Sequence, residues 1–147
     1  MNTKLRLYFS DKIQSDLVAH LKKEQFHYLK DVMRLKAGDS FSVFNGQGEW
    51  NASIESYEKE GVRIKILHKL RDKENEQNIW LAFTPIKQNP LNFIIQKATE
   101  LGVQKFIPIL SERTMVKDIN IERVKKIIVE SAEQSNRISI PEINNLE

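Results

Sequence analysis

The sequence predicts two domains of different class: a small α+β barrel made mostly of strands, followed by the beginning of an α/β domain. Three observations carry this. Period-two runs joined by glycine turns fill the first half, a charged run nearly free of apolar residues follows at 68–78, and the second half alternates apolar strand with amphipathic helix.

In the first half, Leu5, Leu7 and Phe9 alternate with Arg6 and Tyr8, which predicts a short strand. Residues 24–35 (EQFHYLKDVMRL) place Phe26, Leu29, Val32 and Met33 on one helical face. Lys30 and Arg34, four residues apart, are neighbours on that helix's surface. Ala37-Gly38-Asp39 breaks the helix. SFSVF then leads into a turn at Asn45-Gly46-Gln47-Gly48, and Trp50, Ala52 and Ile54 continue at period two. After a turn at Glu58–Gly61, Val62, Ile64 and Ile66 alternate with Arg63 and Lys65. Short strands of this kind close into small barrels. The run HKLRDKENEQN reads as a solvated linker, dividing the chain into residues 1–72 and 77–147.

In the second half, IWLAFTPI (79–86) is continuously apolar, the pattern of a parallel strand buried on both faces. Asn89 is placed to cap a helix, with Pro90 in its first turn. Leu91, Ile94, Ile95, Ala98 and Leu101 form its apolar stripe, and Gly102 ends it in the left-handed conformation. FIPIL is the next buried strand. Asn120 caps a further helix whose inner face is Ile121, Val124, Ile127, Ile128 and Ala132. In open α/β sheets, ligands lie beyond the carboxyl ends of the strands. Ser111-Glu112-Arg113-Thr114 follows the second strand at that end, either as working groups or as a solvated loop.

Composition narrows the class. The chain has 147 residues and a formal net charge of +3. Its positive excess lies in the first half, where 14 Lys and Arg face 10 Asp and Glu in residues 1–73, against 9 and 10 in the rest. No run approaches the roughly 20 apolar residues of a membrane span, and MNTKLRLYFSDK has no apolar signal core, so a cytoplasmic protein is expected. With no cysteine, disulfides and thiolate ligands are excluded. His20, His27 and His68 show no ligand spacing, so no metal site is expected.

Three blocks, HYLKDVMRLKAGDSFSVFNGQG (27–48), IIQKATELGVQKFIPILSERT (94–114) and ESAEQSNRISIPEI (130–143), together resemble the bacterial 16S ribosomal RNA uracil-N3 methyltransferases of the SPOUT superfamily. The resemblance implies an amino-terminal PUA-like RNA-binding barrel and a carboxyl-terminal α/β domain with a deep trefoil knot. It also implies S-adenosylmethionine as cofactor, pairing into a homodimer, and methylation of one uridine in the RNA of the small ribosomal subunit. Members of the family are longer, and no glycine follows Gly102 here. The knot and cofactor loops are therefore expected to lie outside this chain, which alone would not bind the cofactor or methylate.

Uridine N3 is a poor nucleophile until its proton leaves, and the resulting anion needs donors. Arginine stays protonated and offers a planar fork. Arg113 is the first candidate for this part and Arg137 of EQSNR the second, with Glu133 or Gln134 orienting either; a surface ion pair or a phosphate contact is the alternative for both arginines. Glu100 lies three residues after Lys97, an intrahelical pair. For RNA phosphates the candidates are Lys4, Arg6, Lys30, Arg34, Arg63 and Lys65, each alone no more than a solvated charge. Trp50, Tyr57 and Phe44 read as barrel core and rim. Two rivals stand beside the methyltransferase: a non-catalytic RNA- or ribosome-binding module, and a small α/β protein for some other ligand.

Overall fold

The period-two alternation of the first half becomes a single mixed sheet in the computed structural model, which describes residues 5–59 and 61–147. The chain divides into two units, Met1–Lys73 and Glu74–Glu147.

The first unit runs β1 (Arg6–Tyr8), β2 (Val18–Leu21), α1 (Lys23–His27) continuing as a π turn (Tyr28–Val32), β3 (Ser40–Phe44), β4 (Gly48–Glu58) and β5 (Gly61–Asp72). The sheet order is β1-β3-β4-β5-β2. β1 is parallel to β3 and the other pairings are antiparallel. Ala52 faces Ile66 and Ile54 faces Ile64 across the β4–β5 ladder, so the expected alternation fills one dry core with Phe41, Val43, Leu21 and Leu29. Gly61 is required by proximity: a Cβ there would lie 2.4 Å from the Leu21 carbonyl oxygen, where β2 joins β5.

Three expectations change in this unit. β2 is a strand that sequence reasoning did not find. Residues 68–72 belong to β5, so the ladder continues into what reads as a linker. The helix expected over 24–35 is instead one α turn followed by a π turn, with Met33 N–H donating to the Tyr28 carbonyl at 2.9 Å. The π turn rotates Leu29 into the core and leaves Val32 and Met33 exposed.

The second unit runs β6 (Trp80–Phe83), α2 (Gln88–Glu100), β7 (Lys105–Pro108), α3 (Ile121–Gln134) and β8 (Glu142–Ile143). Its three strands are parallel in the order β6-β7-β8, with Leu81, Phe106 and Ile143 in register. These side chains pack with Leu91, Ile95, Val124 and Ile128 from the two helices. Alternate residues point the other way, and Trp80 is 57% exposed, so β6 is not buried on both faces as its composition suggests. Asn120 caps α3 as expected, accepting from Arg123 N–H at 3.0 Å. α2 begins two residues earlier than predicted: Lys87, not Asn89, is its cap, and Pro90 still falls in the first turn, where no N–H is needed. Gly102 ends α2 at φ +102°, with Val103 N–H bonded to the Ala98 carbonyl and Gly102 N–H to that of Thr99. Leu101, counted in the apolar stripe, is 82% exposed because this closure turns it outward.

Candidate functional site

The carboxyl end of the parallel sheet is built by β7 and its flanks. Ile109 N–H donates to the Phe83 carbonyl at 2.9 Å and Leu110 N–H to that of Glu147 at 2.7 Å, so the chain leaves the sheet in a fixed direction. Ser111–Thr114 then folds into a turn. Thr114 N–H donates to the Ser111 carbonyl at 3.0 Å, Ser111 N–H donates to Thr114 Oγ1 at 2.8 Å, and the two hydroxyls lie 2.8 Å apart. Thr114 is buried as the lock, and Glu112 and Arg113 stand exposed at the tip. Arg113 forms no hydrogen bond or ion pair with another described residue. Its fork is therefore available beyond the strand ends, where open sheets place ligands.

Arg137 is placed differently. It follows α3 and precedes β8, so it lies at the amino ends of the strands, separated from Arg113 by the length of β7. It is buried, its Nη1 donating to the carbonyls of Thr99 at 2.9 Å and Val103 at 2.6 Å. Its Nη2 donates to Ser139 Oγ at 2.9 Å and Glu76 Oε2 at 3.1 Å. The fork expected to face a substrate instead joins the end of α2, the entry to β7 and the segment before β8. Glu133, in the last turn of α3, sits at this same end, half-buried.

Glu76 comes from the run read as a solvated linker. Ser139 Oγ donates to it at 2.5 Å and the Gln104 amide donates to the same oxygen. Burial pushes the Glu76 carboxyl up, but the Ser139 and Gln104 hydrogen bonds and the Arg137 charge outweigh it and hold it below 4.5. No local sequence signal marks this contact, which spans 61 positions.

In the first unit the cations separate into two kinds. Arg6 donates from Nε to Glu49 Oε1 at 2.9 Å and lies 4.5 Å from the centre of the Phe44 ring. Arg71 donates to Glu49 Oε2 at 3.2 Å and Ser42 Oγ to Oε1 at 2.7 Å. Burial raises the Glu49 carboxyl, but hydrogen bonds from Arg6 and Ser42, with the charges of Arg6 and Arg71, carry it below 4.5. Arg6 is thus an internal tie rather than the free phosphate contact expected of it. Arg63 pairs with Glu55 at 2.9 Å, and Lys65 lies 3.8 Å from Asp16, both at the surface. Lys4 lies outside the described residues.

Lys30 and Arg34 are exposed, and among the described residues no carboxylate bonds them. Lys30 Nζ lies 5.0 Å from the centre of the Phe26 ring and 5.7 Å from that of Tyr57. Those rings meet edge to face at 5.6 Å, and the Tyr57 hydroxyl donates to the Leu35 carbonyl at 2.7 Å. Trp50 and Phe44 are core, as expected, and Lys97 pairs with Glu100 at 2.8 Å. Among the described residues no cluster of metal-ligating side chains occurs, and no helix is long and apolar enough to cross a membrane.

A strand-rich unit is joined in sequence to a three-stranded parallel sheet with two helices, a two-unit α/β arrangement. The chain belongs to the RNA methyltransferase family: residues 73–147 match the RNA methyltransferase domain, and residues 21–67 match the RNA methyltransferase PUA domain. Among particular relatives, it is 33% identical over 138 residues to the ribosomal RNA small subunit methyltransferase E of Rickettsia conorii, covering 92% of this chain and 57% of that protein. The Bacillus subtilis protein of the same name is 32% identical, covering 82% of this chain and 50% of its own length. A solved Legionella pneumophila structure in complex with the bound cofactor SAM superposes with a TM-score of 0.88 at 29% identity, over 98% of this chain and 63% of that one. The ribosomal RNA small subunit methyltransferase E of Neisseria gonorrhoeae, bound to S-adenosyl methionine, gives 0.87 at 26% identity, over 97% and 62%. The chain therefore spans between 50% and 63% of the length of these relatives.

Proposed function

We propose that this chain forms part of an S-adenosylmethionine-dependent methyltransferase acting on N3 of a uridine in 16S ribosomal RNA. The observation that carries the proposal is Arg113: an arginine that pairs with no other described residue, on a locked turn at the carboxyl end of a parallel sheet, in a chain of the RNA methyltransferase family. Its fork is suited to the negative charge that spreads over the uracil carbonyl oxygens as N3 loses its proton. Lys30 and Arg34, with Arg63 and Lys65, supply cations for the RNA backbone. Arg137 acts in positioning, by holding the amino end of the sheet.

Residues 103–147 contain no glycine that would let backbone approach a ligand closely, and the turn after β7 presents charged side chains instead. The cofactor of the family, S-adenosylmethionine, would supply the methyl group. The proposal extends to closure of the first sheet as a PUA-like barrel over residues 1–72, a knotted SPOUT-type domain from residue 77 onward, pairing as a homodimer, and action on the small subunit in the cytoplasm.

The test is nucleoside mass spectrometry of 16S RNA incubated with S-adenosylmethionine and a version extended to the relatives' length. 3-Methyluridine is the expected product. A different methylated nucleoside would overturn the N3 assignment. RNA binding without any methylation would favour the rival, a non-catalytic ribosome-binding module, for which the free cations of the first unit would suffice.

A further inference from the structure

The residue that closes the π turn is in the left-handed conformation and is an arginine. Arg34 has φ +54°, and the closure is completed by Leu35 N–H bonding to the Leu29 carbonyl at 2.9 Å. Gly102 does the same work after α2, and glycine is the residue such closures favour, because a Cβ is strained there. The other described non-glycine residue with positive φ is Asp16, of a type that enters this region more readily. The fold draws no polar interaction from the Arg34 side chain: it is exposed and bonds to no other described residue. Acids on the same segment are engaged elsewhere, Asp31 with His27 at 2.6 Å and Asp39 with Lys36 N–H at 2.7 Å. A Cβ at this φ strains the backbone, and among the described residues no hydrogen bond or ion pair of the Arg34 side chain offsets that strain. Residues kept in strained backbone conformations concentrate where a protein meets its ligand.

We infer that Arg34 is the residue through which the first unit grips the phosphodiester backbone of RNA, with Lys30, held over Phe26 and Tyr57, beside it in sequence as the second cation. This rests on the RNA-binding reading above and assigns its principal contact. The left-handed backbone fixes where the side chain leaves the surface, and the planar fork takes two phosphate oxygens at once.

The experiment uses the 147-residue chain and its variants Arg34→Gly and Arg34→Lys, with 16S ribosomal RNA as probe. Thermal melting and RNA affinity over a salt series are both measured. Arg34→Gly is expected to melt about 4 °C higher, because strain is relieved. It should also bind RNA about tenfold more weakly at low salt, with a log–log salt slope shallower by about 0.9, one phosphate contact. Arg34→Lys should keep the slope and gain no thermal stability. An Arg34→Gly chain that binds RNA like the parent, or melts lower, overturns the assignment while the parent's binding stands. A parent without salt-dependent RNA affinity overturns the RNA-binding reading itself, and this inference with it.

Discussion

The two units solve the same two local problems with different residues. Each buries an arginine against a glutamate: Arg6 on Glu49 in the first, Arg137 on Glu76 in the second. Each also ends a helical segment in a left-handed residue, which is arginine in the first and glycine in the second. The buried pairs are alike because both join elements distant in sequence, 43 and 61 positions apart. On the proposed RNA contact, the helix ends differ because only one of them is purely structural. Where the turn has nothing to do but stop α2, glycine suffices. Where it faces outward among cations, the chain keeps a side chain that the backbone disfavours. An arginine's role is therefore read from what surrounds its fork, and Arg34 and Arg113, which bond no other described residue, are the ones proposed to meet RNA.

The comparison predicts a series of effects. The largest is for Arg137→Ala, which strips the Thr99 and Val103 carbonyls and leaves Glu76 without its cation. Stability should fall by about 3 kcal/mol, the usual effect of breaking a buried pair, read as an earlier urea midpoint. An unchanged midpoint would return Arg137 to the list of transfer residues. Arg6→Ala should cost less, roughly 2 kcal/mol, because Arg71 and Ser42 still bond Glu49.

Acid should weaken both pairs together. Glu49 and Glu76 are held below 4.5 in the folded chain, so each contributes stability fully present above that pH and lost as pH falls through its lowered folded value. Glu76→Gln should flatten part of the acid limb of a stability–pH curve. A limb of unchanged steepness would mean that the carboxylate is not coupled to folding.

The smallest effects have opposite signs. Gly102→Ala should destabilise by about 1 kcal/mol from backbone strain alone, since nothing lies within 4 Å of the added Cβ. Arg34→Gly should stabilise by a similar or slightly smaller amount. If both substitutions destabilised, the contrast between the helix ends would be wrong.

What the sequence revealed was local. The Asn120 cap, the Gly102 stop and the period-two alternation of Ala52 and Ile54 and of Ile64 and Ile66 each depend on residues close in sequence or on strict alternation, and all were legible, whereas the register between the two strands, set by bulges, was not. The position of Arg113 followed from a strand and the turn after it. The roles of Arg6, Arg137 and Glu76 were hidden because their partners lie dozens of positions away, and a charged run such as RDKENE gives no sign that one of its acids is half-buried. The open face of β6 was hidden too, because Trp80 and Ala82 are apolar whether covered or not. The π turn at Tyr28–Val32 shifts the helical period itself, so spacing alone misjudged which residues would face inward.

The central claim is a division of labour: the first unit holds RNA through Arg34, and the carboxyl edge of the second unit's sheet assists transfer through Arg113. The most direct test measures RNA affinity and single-turnover methyl transfer at saturating 16S RNA together, in a protein of the relatives' length carrying Arg34→Gly or Arg113→Ala. Arg34→Gly should lose about tenfold in affinity and keep its rate, whereas Arg113→Ala should keep its affinity and lose about a hundredfold in rate. Affinity and rate falling in step in both variants, or the two effects exchanged, would contradict the account.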